Sequence, residues 1–322
     1  PNLNKAFKAM IAEIFEENHV CIIEGEAEAA MAFTEQPFDH ILFTGSTTVG
    51  RFVMAAAAKN LTPVTLELGG KSPAIVSDHI PMKDAAERIC FGKSMNAGQT
   101  CVAPDYILVP KAKEQEFVQA YIKAFTKMYP TLKDNNDYTA IINDRQHQRL
   151  TDLLTDAKEK GAQLTEINPA NEDLSAGRKL APVIMQNMKQ DMSIAEEEIF
   201  GPILPIIAYD NLNEAIEYVN DRPRPLALYY FGYNKAEQNY VLDNTISGGV
   251  SVNDTLMHLA QEDMPFGGVG DSGMGHYHGK EGFITLSKAK AVHRKGRIST
   301  GSLAFPPYDN YIRRMIYTFF IR

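Results

Sequence analysis

Cysteine is scarce in this chain. Its 322 residues hold three, Cys21, Cys90 and Cys101, and no two of them form a C-x-x-C pair. An odd, widely spaced set argues against a disulfide framework and for a reducing compartment, the cytoplasm. Long apolar runs are missing too, and no stretch approaches the roughly 18 residues of a membrane span. No basic run interleaved with aromatics occurs, and the formal net charge is −8. Neither nucleic acid nor an anionic membrane is therefore the expected main partner. Internal repeats and low-complexity tracts are absent. The chain opens on Pro1 and Asn2 and runs straight into a helical pattern, which reads as entry in mid-architecture.

Hydrophobic residues make up 44% of the chain, enough for sizeable cores and, at this length, about two domains. Apolar spacing predicts helices over residues 3–17 and 26–35, and short apolar runs predict strands over 20–25, 40–45 and 64–68. Between the last two, "STTVGRFVMAAAAKN" (46–60) reads as a helix capped near Ser46 or Thr47. Strand and helix in alternation predict a parallel sheet in an α/β domain. Further helices are expected at 82–95, 111–129, 145–160, 212–220 and 234–243, with strands at 105–110, 203–210 and 226–233. Residues 165–182 read as a surface connection, and 248–280 as a glycine-rich loop region.

Three stretches combine reactive with conformationally special residues. "FTGSTTVG" (43–50) is a strand end, a glycine turn and a helix start, whose free N–H groups suit a pyrophosphate. An ordinary capped helix explains the same letters. "LELGGKSP" (66–73) places Glu67 near the end of a buried strand, where a desolvated carboxyl serves as a general base. Pairing with a Lys or Arg is the plainer alternative. "GQTCVAPD" (98–105) sets Cys101 in a polar loop beside Gly98. A loop thiol is a nucleophile candidate, while Cys21 in a strand and Cys90 on a helix face read as inert core thiols. "GVGDSG" (268–273) matches G-x-G-x-x-G but lacks a preceding strand and a following helix, so it is not a dinucleotide fingerprint. His276, His278 and His147 offer neither a metal site with credible spacing nor a visible tie to Cys101. Of the "EEE" run at 196–198, Glu198 abuts "IFGP" and is the member expected to face inward.

In order along the chain, "FTGSTTVG", "LELGGKSP", "GQTCVAPD", "EEIFGP" and "PFGGVGDSGMG" resemble the aldehyde dehydrogenase superfamily. The likeness runs from about residue 1 to about 295. "GMGHYHGKEGF" looks like its class 3 branch, and "PPYDNYIRRM" leans towards the coniferyl-type group. The resemblance implies an α/β fold with doubly wound parallel sheets. Residues 1–68 would be a partial cofactor domain, 69–275 a complete catalytic domain, and 276–322 an oligomerisation segment and tail. It implies a homodimer, an aldehyde substrate, and NAD or NADP as cofactor. Cys101 would be the nucleophile and Glu67 the base for the deacylating water. Gly45 and Ser46 would lie on the pyrophosphate, and Gly50 would let that helix pack closely. Leu68 and Gly69 would line the nicotinamide pocket, with Glu198 and Phe200 on its ribose and ring. Asn253 and the glycines of 267–273 would shape the surroundings.

The same resemblance implies an N-terminal part that precedes this chain, carrying further strands, an oxyanion-hole Asn and a ribose-binding segment. Without them, weak or absent activity is expected of these 322 residues alone. Two other readings stay open at this stage: a cysteine hydrolase or acyl transferase that needs no nucleotide, and a non-catalytic binding protein on the same scaffold.

Overall fold

A computed structural model describes residues 2–298, 301 and 305–320. The chain divides into two units, 1–286 and 287–322.

The first unit begins with helices α1 (Asn2–Ile14) and α2 (Ala27–Thr34), then strand β1 (Ile41–Thr44), α3 (Thr47–Ala58), β2 (Val64–Glu67) and β3 (Pro73–Val76). Next come α4 (Met82–Ser94), β4 (Tyr106–Pro110), α5 (Glu114–Met128), α6 (Asp144–Glu159), β5 (Gln163–Glu166) and β6 (Val183–Gln186). A short α7 (Ser193–Glu196) precedes β7 (Ile203–Tyr209), α8 (Leu212–Asn220), β8 (Ala227–Phe231), α9 (Lys235–Asn244) and β9 (Gly249–Val252). β10 (Gly273–Met274) and α10 (Gly279–Thr285) close the unit. In the second unit the described residues include α11 (Tyr311–Phe320). The tail of the expected oligomerisation segment ends at 321–322, which lie outside the described residues.

Seven strands form the larger sheet in the order β5-β6-β7-β4-β3-β8-β9, parallel throughout except for β5 against β6. Its central strands β4 (YILVP) and β8 (ALYYF) are buried at every position, as a sheet covered on both faces requires. Successive side chains point to opposite faces. Ile107 and Val109 of β4 join the core built with α4 and α5, while Tyr106 and Leu108 join the one built with α8 and α9. β8 divides likewise, with Tyr229 and Phe231 on the first face and Leu228 and Tyr230 on the second.

The smaller sheet has the order β1-β2-β10. β1 runs parallel to β2 and β10 antiparallel to it, so Glu67 stands in register between Thr44 and Gly273. Ile41, Val53, Ala57, Leu66 and Leu68 form its core. The α/β class with parallel sheets holds, and the antiparallel β5 and β10 are additions to it.

Several local expectations are corrected. Residues 20–25 form no strand, and Cys21 and Ile23 are exposed. A short apolar run becomes a strand only where a neighbour accepts its backbone hydrogen bonds, and none pairs with it. α1 stops at Ile14, and its apolar positions Leu3, Phe7, Met10 and Ile14 stay exposed. Residues 163–166 form edge strand β5, which takes in the first two residues of the expected surface connection (165–182), and β3, β6 and β9 occur where no strand was expected. The rejection of "GVGDSG" stands: it leads into β10 rather than a helix.

Candidate active site

Cys101 sits in the turn between α4 and β4, and the turn is unusual. Asn96 (φ 51°), Ala97 (φ 52°) and Gly98 (φ 74°) are consecutive left-handed residues. That conformation costs a non-glycine residue roughly 1–2 kcal/mol, so the surroundings must hold it. They do so through amide side chains. Asn96 Nδ2 donates to the Gln99 carbonyl at 3.0 Å, and Gln99 Nε2 returns a bond to the Asn96 carbonyl at 3.0 Å. Gln99 Oε1 accepts from Ile142 N–H at 2.9 Å, anchoring the turn to the loop before α6. Beyond the thiol, the buried Tyr229 hydroxyl donates to the Val102 carbonyl at 2.5 Å.

The thiol is half-buried. Burial pushes its pKa up, and the negative charges of Glu198 and then Glu67 push the same way. The N–H groups of Cys101 and Val102 act in opposition and favour the thiolate. No imidazole is among the groups acting on it. Cys90 is buried inside α4, and burial drives it to about 12, the state of an inert core thiol.

Glu67 ends β2 and is 4% exposed. Neither of its carboxylate oxygens has a hydrogen-bond partner. Burial alone raises it to about 8, so at neutral pH it carries a proton. A paired structural Glu would be lowered instead. Leu68, the next residue, is buried and donates its N–H to the Ser272 carbonyl at 3.1 Å.

Glu198 lies across the backbone that follows. A Cβ on Gly69 would overlap the Glu198 carboxylate, so the carboxylate rests directly on this glycine and would have to shift for any larger residue. Glu198 is raised to about 7, by burial first and then by Asp105. The Gly70 N–H, Lys71 and Arg149 partly offset that rise. Glu196 and Glu197 remain exposed. Phe200 is 41% exposed, with φ 47°.

Ser46 caps α3, its Oγ accepting from Val49 N–H at 3.4 Å. The Gly45 N–H is spent on the Glu67 carbonyl at 3.0 Å. Gly50 faces Leu68, whose Cδ2 would lie 2.6 Å from an added Cβ. A cavity of about 930 Å³ extends from Thr47 and Thr48 past Gly70 and Lys71 to Glu198. One wall therefore carries a helix N-terminus and the other a carboxylate.

The sequence reading missed Tyr277. Its pKa is raised by burial, then by the charges of Glu67 and Cys101. It exchanges two backbone hydrogen bonds of 2.8 Å with Phe266. An aromatic between the glycines of "GHYHG" was the available signal. Asn253 binds backbone. Its side chain clasps both the N–H and the carbonyl of Gly232, at 2.8 and 3.0 Å.

The model of the "Aldehyde dehydrogenase family" matches residues 3–292. A probable coniferyl aldehyde dehydrogenase of Pseudomonas aeruginosa is 56% identical over 322 residues, all of this chain and 67% of that protein. The substrate-bound structure of Staphylococcus aureus AldH superposes with a TM-score of 0.91 at 41% identity, over 99% of this chain and 69% of that one. A Mycobacterium tuberculosis aldehyde dehydrogenase complexed with NAD+ gives 0.72 at 33% identity, over 80% and 53%. The chain thus spans about two thirds of the length of the curated relatives it matches. It belongs to the aldehyde dehydrogenase family.

Proposed function

We propose that the protein oxidises an aldehyde to a carboxylic acid with NAD or NADP as hydride acceptor. The observation that carries this is the shared field of Cys101, Glu67 and Glu198: both carboxylates act on the one thiol that a strained turn presents. In this reading the Cys101 thiolate adds to the carbonyl carbon, forming a C–S bond and an oxyanion. The Cys101 N–H, which already favours negative charge on the sulfur, donates to that oxyanion. When bound, the nicotinamide ring supplies the acceptor for the hydride that leaves this carbon. The carbon is then held as a Cys101 thioester. Glu67 takes a proton from water, the water oxygen forms the new C–O bond, and the C–S bond breaks to return the thiolate. Its unpartnered, buried oxygens suit a group that waits for a water to bind.

The cavity supports a place for the cofactor. Its pyrophosphate would meet the N-terminus of α3 around Gly45 and Ser46, with Gly50 allowing the helix to sit close to Leu68. Its nicotinamide half would meet Leu68, Gly69, Glu198 and Phe200. Residues 1–68 would then be part of the cofactor domain and 69–275 the thiol-bearing domain. Residues 276–322 would serve self-association as a homodimer, in the cytoplasm.

Coniferyl aldehyde is the first substrate to try, after the name of the 56%-identical relative. The test is aldehyde-dependent formation of reduced nicotinamide by the product of the full reading frame, with both cofactors and a panel of aliphatic and aromatic aldehydes. Ester cleavage without any dinucleotide-dependent oxidation would support the hydrolase reading instead. The 322 residues alone are expected to run about 10²–10³-fold slower if an oxyanion donor lies outside them.

A further inference from the structure

We infer that the buried Lys71–Asp105 ion pair is a positioning device that fixes Glu198 over Gly69 and so sets where a nicotinamide ribose is held. The inference rests on the aldehyde dehydrogenase reading and adds two residues to it.

Glu198 sits between α7 and β7, in a stretch without regular structure. Such a stretch has no ladder to fix its register, and its backbone groups need other partners. Charged side chains supply them. Lys71 Nζ donates to the Asp105 carboxylate, to the Ile194 carbonyl at 2.9 Å and to the Glu197 carbonyl at 3.0 Å. Its three N–H donors are thereby all used. Asp105 Oδ1 accepts the Ile199 N–H at 2.8 Å. The residues on either side of Glu198 are therefore each bound to one half of the same ion pair. Arg149 completes the frame, with Nη1 donating to the Glu198 carbonyl at 3.2 Å and Nη2 to the Ile199 carbonyl at 2.5 Å.

The pair also reaches the other partner of the Glu198 carboxylate. Lys71 directly follows Gly70, whose N–H favours the charged form of that carboxylate. Asp105 N–H in turn donates to the Ser72 carbonyl at 2.8 Å. The floor beneath Glu198 and the irregular segment that carries it are thus both tied to Lys71 and Asp105. Stability does not explain the arrangement. The side chains are 11% and 3% exposed, and a buried ion pair is often no better than apolar residues of the same volume. What it provides is directional bonding at three backbone points of the segment that carries one carboxylate.

The test uses the full reading-frame product and two variants: Asp105→Asn, which keeps size and an acceptor but loses charge, and the apolar double replacement Lys71→Met with Asp105→Leu. Hydrogen–deuterium exchange of the cofactor-free protein should quicken in the peptide covering 194–200. Dehydrogenase kcat should fall by about 10- to 100-fold, as misplacement of a reacting group by about 1 Å does. The deuterium isotope effect with C1-deuterated aldehyde should rise, because hydride transfer becomes limiting. Cleavage of p-nitrophenyl acetate through Cys101 needs no hydride transfer and should change by no more than about two-fold. A fall in both activities together, with an unchanged isotope effect, would make the pair merely structural and overturn the inference. Should Asp105→Asn fail to fold, the double replacement decides by the same signature, and its failure to show that signature overturns the inference as well. A wild-type protein without aldehyde-dependent cofactor reduction overturns the underlying reading itself.

Discussion

Gly98 meets Gly201 backbone to backbone: a side chain on Gly98 would run into the Gly201 carbonyl, with its carbon at 2.8 Å. The turn that presents Cys101 and the "IFGP" segment that follows Glu198 are fitted together at this point. Gly98 also has φ 74°, so both space and backbone conformation exclude a Cβ.

Gly98→Ala is therefore expected to destabilise the protein by about 2–4 kcal/mol. Thermal unfolding checks the stability, and the rate of iodoacetamide alkylation checks Cys101. A substitution tolerated within about 0.5 kcal/mol, the usual range for surface changes, would contradict the packing described.

Two carboxylates raise the Cys101 thiol, Glu198 more than Glu67. Removing a negative charge stabilises the thiolate and lowers its pKa. Glu198→Gln should shift the pH midpoint of Cys101 alkylation downward, and Glu67→Gln should shift it downward by less. A reversed order of the two shifts would show that Glu67 is the nearer charge.

Glu67 has a pKa near 8 in the folded protein, raised by burial. As a base it acts only when ionised, so thioester hydrolysis should climb with pH through about 8 and level off above it. Glu67→Gln should abolish that rise and lower turnover by about 10²–10⁴-fold, the usual worth of a positioned base. Burst kinetics across pH 6–9.5 would separate this step from acylation. The stability sign follows too. An acid whose folded pKa is raised favours folding most below its ordinary value of 4.5. That contribution fades as pH rises towards 8.

Tyr229→Phe removes the donor to the Val102 carbonyl, next to Cys101. The buried carbonyl is left unsatisfied, at a cost of about 1–3 kcal/mol. Chemical denaturation measures the loss, and the Cys101 alkylation rate reports whether the loop shifts with it.

Legibility of the chain followed the physics of each element. Helices and central strands with strong periodicity were readable: 212–220 was expected as helix and is α8, residue for residue. Four-residue strands such as β3 and β6 were not, because "PAIV" and "VIMQ" are too short to display a period and owe their form to neighbours. Residues 20–25 failed in the opposite sense, apolar enough for a strand but with no strand beside them. At the site, Cys101 and Glu67 stood out through residue type and glycine context. Tyr277, Lys71 and Asp105 did not. Their roles arise from groups far apart in the chain, 126 positions in the case of Lys71 and the Glu197 carbonyl, and local letters do not carry such partnerships.

The two carboxylates around the Cys101 thiol have a consequence for the durability of the protein. Peroxide and other oxidants attack the thiolate far more readily than the thiol. With burial and the Glu198 charge opposing ionisation, the resting sulfur is stored in its chemically quiet form. The same surroundings that make the nucleophile wait for its substrate also protect it from damage while it waits.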